Sequence, residues 1–362
     1  MESAKRQWQK IMSKDSAVNE PELSSFDGKE KPSGKKKRLA WFIFPLLILL
    51  LLLIVLGMYW SYTPETFNVQ ARTESVLAQK SRGPVVGAAT TVSLLAVTET
   101  LLNKRGGYLS NDVMPPSIWL DNMPNWEYGV IIQVRDMSKA MREAFSRSQS
   151  QSLEDKDLAL AESRFNFNND SWLFPPTEKQ YREGAEHLNA YLDRLLDPKQ
   201  KNAQFYARAD NLRYWLATVE TRLGNLSQRL SASVGQQRLN LDLAGEAGAS
   251  QSTPAPGDEF VKTPWMEIDD IYFEARGSAW ALIHFLRAVE YDFADVLQKK
   301  NARVSLQQII RELEATQNRV YSPMILNGSG FGILANHSLV MASYISRANA
   351  AIIDLRELLA QG

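Results

Sequence analysis

The run Leu39–Trp60, LAWFIFPLLILLLLLIVLGMYW, carries no charge and no strongly polar side chain. As a helix its 22 residues rise roughly 33 Å, enough to cross a bilayer core of about 30 Å. Lys35, Lys36, Lys37 and Arg38 stand immediately before it, and the first basic residue after it is Arg72. Basic residues next to a span are retained on the cytoplasmic side, so the N-terminus is expected inside and the chain beyond Trp60 outside. Trp41 at one end, and Tyr59, Trp60 and Tyr62 at the other, suit the interfacial aromatic belt. Pro45 falls in the first turns, where a missing donor costs little. A cleaved signal peptide is the rival reading. The apolar run is too long for one, the leader ahead of it is 38 residues, and no small-x-small site follows. A retained single-pass anchor is expected, with the bulk of the chain outside the cytoplasm.

The charges sharpen this division. The 362-residue chain has 41 basic and 41 acidic residues, but residues 1–38 hold ten Lys/Arg against six Asp/Glu (10 − 6 = +4). The remainder is therefore −4 and lacks the basic footprint of a nucleic-acid binder, so no nucleic acid is expected as a partner. The basic patch suits topology and contact with anionic lipid. Residues 13–38 are rich in Ser, Lys, Glu, Pro and Gly and are expected to be disordered, with a short helix around Trp8 and Ile11 before them. Three regions result: a cytoplasmic leader 1–38, an anchor 39–60 and a helical periplasmic domain 66–362. There is no cysteine, which removes disulfides, thiolate metal sites and cysteine nucleophiles together.

Beyond the span, helical periodicity dominates. Phe205, Ala209, Leu212, Leu216, Val219, Leu223, Leu226 and Leu230 follow one another in alternating steps of four and three. Ile268, Tyr272, Ala275, Ala279, Leu282, Leu286, Val289, Phe293 and Val296 do the same, as do Met341, Ile345, Ala348, Ile352, Leu355 and Leu359. Val130, Val134, Met137, Met141 and Ala144 make a shorter run. Such seams drive helix packing at small crossing angles, so the expected class is all-α: one transmembrane helix, then an elongated extracytoplasmic helical bundle with coiled-coil-like seams. Capping signals agree. Thr177 with Gln180 reads as a capping box and Ser152 with Asp155 as a weaker one, while Thr263–Pro264 opens the helix that carries Glu267, Asp269 and Asp270. Residues 202–234 carry a net +2 and residues 265–299 a net −4, which suggests an antiparallel pair; the alternative is that both charge sets are solvated faces. Asp197–Pro198 reads as a tight helix connection. Residues 235–262 read as a mobile loop built around AGEAGASQSTPAPGDE. NGSGFG (327–332) lacks the Lys-Ser/Thr of a phosphate loop and reads as a turn into the last helix.

The segment from Asn103 to Tyr128 differs in kind, mixing Gly, Pro, Asn and aromatics without helical period. Tyr108, Trp119, Trp126 and Tyr128 are candidates to line a groove for sugar or peptide; the competing role is to cap one end of the bundle. RFNFNNDSWLFPP (164–176) has the same character, and the two are expected to pack together. Catalytic groupings are sparse. His187, His284 and His337 each stand alone, no HExxH spacing occurs, and no GxSxG elbow supports a serine nucleophile. No metal, cofactor or catalytic set is therefore assigned. His284 lies beside an apolar stripe and reads as a packed core residue. Glu99, among Val92, Leu95 and Leu102, is the one weak catalytic candidate: a partly buried carboxyl beside an aromatic loop is how a glycosidase raises its acid's pKa. Its ordinary alternative is a surface glutamate, paired with Arg105 for example.

The motifs RGGYLSND (105–112), LDNMPNWE (120–127), FSRSQSQSLEDKDL (145–158) and ARADNLRYWL with RLGNLSQRLSASV (207–234) carry a resemblance. The chain from about residue 40 onward resembles a family of uncharacterised bacterial membrane proteins, domain of unknown function 2333. The resemblance implies one N-terminal span followed by a largely helical region. It assigns no activity and no functional residue. Three functions stay open: a non-enzymatic envelope scaffold or assembly factor, with protein partners or self-association through its seams; a periplasmic sensing module; and a cell-wall glycan enzyme using Glu99.

Overall fold

The computed structural model describes residues 34–148, 153–200, 202–239, 258–322, 324–330 and 332–361. The expected disorder of the leader, apart from residues 34–38, and its short helix around Trp8 lie outside them, as do residues 240–257 of the expected loop, Ser152 and Phe331. Eleven helices and one two-stranded ladder occur among the described residues, so the protein is all-α. Internal contacts divide the chain at Leu52 into two compact units.

Helix α1, Gly34–Trp60, is unbroken through Pro45, and its stretch Ile43–Trp60 is long and apolar enough to cross a membrane. Phe44, Leu46, Leu51 and Leu52 along it are exposed, as they would be on a helix that turned its side chains to lipid.

The second unit begins at Leu53 and holds ten helices among the described residues. In the order of the chain they are α2 Val69–Gln79, α3 Ala88–Asn103, α4 Asn122–Ala140, α5 Lys156–Phe165, α6 Thr177–Leu196 and α7 Ala209–Ser231. After the ladder come α8 Ile268–Asp292, α9 Ala294–Lys299, α10 Arg303–Ala315 and α11 His337–Ala360. Helix α4 runs on into a π-helical turn, Met141–Phe145. Every residue of α8 from Ala275 to Leu286 is buried, so this helix is the core around which α3, α4 and α10 pack. Its sequence ARGSAWALIHFL explains the position: apolar and small residues occupy all of its faces.

Helices α4 and α8 run parallel in one register. Asn125 Nδ2 donates to Asp270 Oδ1 at 2.7 Å and Gln133 Nε2 donates to Ser278 Oγ at 2.8 Å. Between these bonds the backbones nearly touch. A Cβ on Gly129 would lie 2.1 Å from the Glu274 carbonyl oxygen, and one on Gly277 would lie 2.0 Å from that of Trp126.

Most seam residues expected to be internal are internal: Leu212 to Leu230, Ile268 to Phe293, Met341 to Leu359 and Val130 to Ala144 are buried at the predicted positions, while Ala209 is half-buried and Val296, also half-buried, falls in α9 beyond the end of α8. Phe205 precedes α7 and packs at an angle to the Phe145 ring and edge-on to that of Phe293 instead of continuing the helix. The expected charge pairing holds at one contact. Arg229 forks onto Glu274 with both bonds at 2.7 Å. The chief partner of α7 is nevertheless α11, and that of α8 is α4. Nor are the charges of α8 simply a solvated face. Buried Arg276 donates to the carbonyls of Thr316, Gln317 and Asn318 just beyond α10. Buried Asp292 accepts from the amides of Gly87 and Thr90 and from Thr90 Oγ1, capping the start of α3 from another helix.

Two expected caps are corrected. Thr177 is the first residue of α6 rather than its cap, because its hydroxyl is spent closing the preceding turn: Oγ1 donates to Asn168 O at 2.8 Å and accepts from Ser171 N at 3.1 Å. Asp155 itself caps α5, accepting from the amides of Asp157 and Leu158. A 3-10 turn, Trp265–Glu267, separates Thr263–Pro264 from α8. The expected loop 235–262 is also corrected at its ends, where β1 Gln236–Leu239 pairs antiparallel with β2 Asp258–Val261. NGSGFG leads into α11 as expected, with Asn336 capping the helix at Leu339 N and bonding back to Asn327 and Gly328.

The chain leaving α1 is strapped onto α8 by two side chains. Trp280 Nε1 donates to Glu65 O, and His284 Nε2 accepts from Phe67 N at 3.0 Å. His284 Nδ1 lies 2.7 Å from Trp280 O, so the network assigns the proton to Nδ1. The Phe67 ring stacks on the imidazole with centroids 3.9 Å apart. Burial, aided by Arg287, lowers the His284 pKa from 6.5 to about 3. Because the folded value is depressed, the unfolded chain binds the extra proton. Stability is therefore complete above pH 6.5 and is lost as pH falls toward 3. By pH 5 this one group is expected to withdraw about 2 kcal/mol. Chemical unfolding of the wild type and of a His284→Gln variant between pH 7.5 and 5 checks it: the variant, weaker at neutral pH, should show a flatter profile. Equal slopes would count against the assignment.

Candidate functional site

The aromatic segment between α3 and α4 is ordered, and its order starts from a buried ion pair. Lys104, at the C-cap of α3, and Glu127, in the second turn of α4, are both almost wholly buried and in contact. Lys104 also donates to the Gly107 carbonyl. The Glu127 carboxylate accepts from Leu109 N and Ser110 N, each at 2.8 Å, and from Ser110 Oγ. Burial pushes the Glu127 pKa up, while Lys104 and the donors from Ser110 and Leu109 pull it down. Gly106 and Gly107 hold left-handed φ values of 83° and 77°. Gly106 lies so close to Trp60 that a Cβ would sit 2.8 Å from the indole Cγ. The text RGGYLSND thus encodes a tight turn clamped between Trp60 and a buried carboxylate.

The neighbouring loop joins it as expected from the shared character of the two segments. Tyr108 Oη donates to Asn169 O at 2.7 Å, and Asn111 Nδ2 donates to Ser171 O at 2.9 Å and to Glu178 Oε2 at 2.7 Å. Tyr108 packs edge-on to Tyr181, and burial raises its phenol pKa. Arg135 fastens the far side, donating to the Phe165 and Phe167 carbonyls. Burial, then Glu178, raises the Asp112 pKa, with Lys104 opposing.

The four candidate groove residues do not converge. Tyr108 and Trp126 are core residues, Trp126 packing 5.2 Å from Trp280, while Trp119 is exposed and Tyr128 is at the margin of exposure. The physical reason is the start of α4 at Asn122, which turns Trp126 inward with Met123 and Val130 and leaves Trp119 on the loop outside. Glu99 is likewise not the partly buried acid that the sequence suggested, but an exposed residue. Its side chain is 52% exposed and pairs with Arg72 at 2.7 Å. Arg105, its expected partner, lies over the rings of Tyr59 and Tyr62. Glu99 does open on an exposed cleft of about 500 Å³ with Tyr62, Glu65, Thr100 and Arg105. A larger cleft, about 800 Å³, runs between α2 and the end of α8, lined by Thr73, Glu74, Arg82, Arg287, Glu290 and Arg303. Among the described residues no group of three or more His, Asp or Glu side chains is arranged to hold a metal ion.

The Lys104–Glu127 pair is not among the candidates the sequence offers, although the sequence carries a signal for it. The seam Val130, Val134, Met137 and Met141, carried backward by three and then four residues, lands on Glu127 and Met123. A carboxylate at a seam position is a buried carboxylate, and a buried carboxylate needs a cation.

A long apolar helix, a helical unit and a buried charge pair under an aromatic turn define the class: an all-α protein with, among the described residues, one helix long and apolar enough to cross a membrane. The chain matches, over residues 34–362, the family described as "Uncharacterized protein conserved in bacteria (DUF2333)". It belongs to that family. No curated protein and no solved structure matches it.

Proposed function

We propose that this is a single-pass protein of the bacterial inner membrane, N-terminus inside, whose helical unit stands in the periplasm and serves as a scaffold or assembly factor of the cell envelope. The observation that carries this reading is the employment of the buried ionisable groups. Glu127, Asp292, Arg276 and His284 each close a contact of the fold itself, leaving the outer surface as the part free to meet other molecules. The basic cluster before α1 supports the orientation. A C-terminal reporter active only outside the cytoplasm tests placement, and a silent reporter overturns it. Cross-linking with mass spectrometry in intact cells tests the role: recurrent links to a protein, or to a second copy, support a scaffold, whereas captured glycan fragments point to an enzyme.

The cleft in front of Glu99 gives the enzyme reading its own test. On the scaffold reading, Glu99→Gln removes one exposed ion pair. The expected result is full complementation of a deletion strain and a stability change of no more than about 1 kcal/mol. Deep loss of function with unchanged helicity would move the assignment to a glycan-active enzyme.

A further inference from the structure

The last turns of α1 and the loop before α4 touch at a revealing height. Gly57 is buried, and its Cβ position lies 3.5 Å from Pro116 Cβ and 3.6 Å from Leu120 Cδ2. Gly57 is inside the apolar stretch Ile43–Trp60, three residues before its end, which is about 4.5 Å along the helix axis. A loop that packs against Gly57 therefore reaches the depth at which the span enters the bilayer interface. That loop displays Met114, Ile118 and Trp119, each more than half exposed. The loop tied to it through Asn111 and Tyr108 displays Trp172, Leu173 and Phe174, the last 92% exposed. Large apolar side chains thus stand exposed on two joined loops, the first of which packs against the end of the apolar stretch. Tryptophan and aliphatic side chains at this height find a partner at the boundary between headgroups and acyl chains.

We propose that loops 113–119 and 172–174 form a second membrane contact, inserting their apolar side chains into the outer face of the same bilayer that α1 crosses. This rests on the reading of Ile43–Trp60 as a span. The contact fixes the helical unit against the lipid surface instead of leaving it free on a single tether. The occupant is lipid, because loop 113–119 packs against Gly57 inside the apolar stretch that, on this reading, lipid covers.

The chain has no cysteine, so single-cysteine variants of the full-length protein report one site each. Met114→Cys, Ile118→Cys and Phe174→Cys are spin-labelled and reconstituted in phosphatidylethanolamine–phosphatidylglycerol vesicles. Leu51→Cys marks the span, and Val304→Cys marks an exposed position next to Arg303, whose guanidinium pairs with Glu290 near the end of α8. Collision with oxygen, which concentrates in lipid, is compared with collision with a water-soluble nickel chelate. The expected result is an oxygen-to-nickel ratio at the three loop sites several-fold above that at Val304→Cys and below that at Leu51→Cys. Loop sites that match Val304→Cys while Leu51→Cys reads as lipid overturn the membrane contact and leave the span intact. Loop sites shielded from both reagents overturn it in favour of a protein partner. An aqueous reading at Leu51→Cys overturns the span and the proposal together. Trp119→Ser/Phe174→Ser should give the same direction by another route, raising nickel access at Ile118→Cys.

Discussion

Replacing Lys104 by methionine is expected to cost about 3–5 kcal/mol of unfolding free energy at neutral pH, because it strands the Glu127 carboxylate without its cation in a site closed to water. The size of the loss comes from the charge left behind and not from the hydrogen bond removed. Burial already raises the Glu127 pKa, and without Lys104 it rises further. A folded-state pKa above the unfolded value favours folding at low pH and penalises it as pH climbs past the unfolded carboxylate range. The penalty of Lys104→Met should accordingly shrink between pH 7.5 and pH 4.5, measured as the difference from wild type in urea. A penalty independent of pH would mean that Glu127 is not its source. Adding Glu127→Gln should recover much of the loss, since the amide oxygen can still accept from Leu109 N while carrying no charge. Hydrogen exchange supplies the local readout: the Leu109 and Ser110 amides should lose protection in Lys104→Met before the core of α8 does.

Gly277→Ala is expected to be nearly as damaging, about 3 kcal/mol, although alanine is the better helix former. The new methyl would stand 2.0 Å from the Trp126 carbonyl oxygen, an atom of a packed helix that cannot swing aside. Gly129→Ala, which meets the Glu274 carbonyl at 2.1 Å, should behave alike. Gly224→Ala is the comparison. It lies inside α7 with no atom nearer than Asn349 Nδ2 at 3.5 Å, so only the propensity gain remains, a stabilisation of up to about 1 kcal/mol. Thermal or urea unfolding of the three variants should separate them by sign. Similar small effects at all three would show that α4 and α8 are not held at the observed distance.

The secondary structure was legible because the seams are long and regular. Leu212 to Leu230 and Met341 to Leu359 could be placed on buried faces by counting alone, since a three-four alternation admits one helical face and no other. The choice of partner was not legible. The opposite charges on α7 and α8 pointed to that pairing, yet one fork, Arg229–Glu274, is all that the expectation yields, while α7 lies chiefly on α11. Exposed charge pairs contribute little, and the closeness of two backbones contributes much. That closeness is set by Gly129 and Gly277, which in sequence are two unremarked glycines 148 residues apart (277 − 129).

The candidate site divides in the same way. The two aromatic segments could be matched by their character, and Tyr108–Asn169 and Asn111–Ser171 join them as expected. The roles of single aromatics could not, because the first turn of α4 decides whether a ring faces Trp280 or solvent. Glu99 stands out in the sequence and Glu127 does not for the same reason: both fall at apolar spacing, but only Glu127 lies where Lys104 and two loop amides converge.

The chain by itself determined the apolar helix Leu39–Trp60, the all-α class and the stripes each helix would bury. These follow from hydropathy and period, which are local properties of a linear text. Only the tertiary structure decided which carboxylate is buried, which aromatics are core, and that the loop from Val113 to Trp119 rests at the level of Gly57. Those outcomes depend on three-dimensional coincidences between residues such as Gly57 and Pro116, whose meeting no periodicity records.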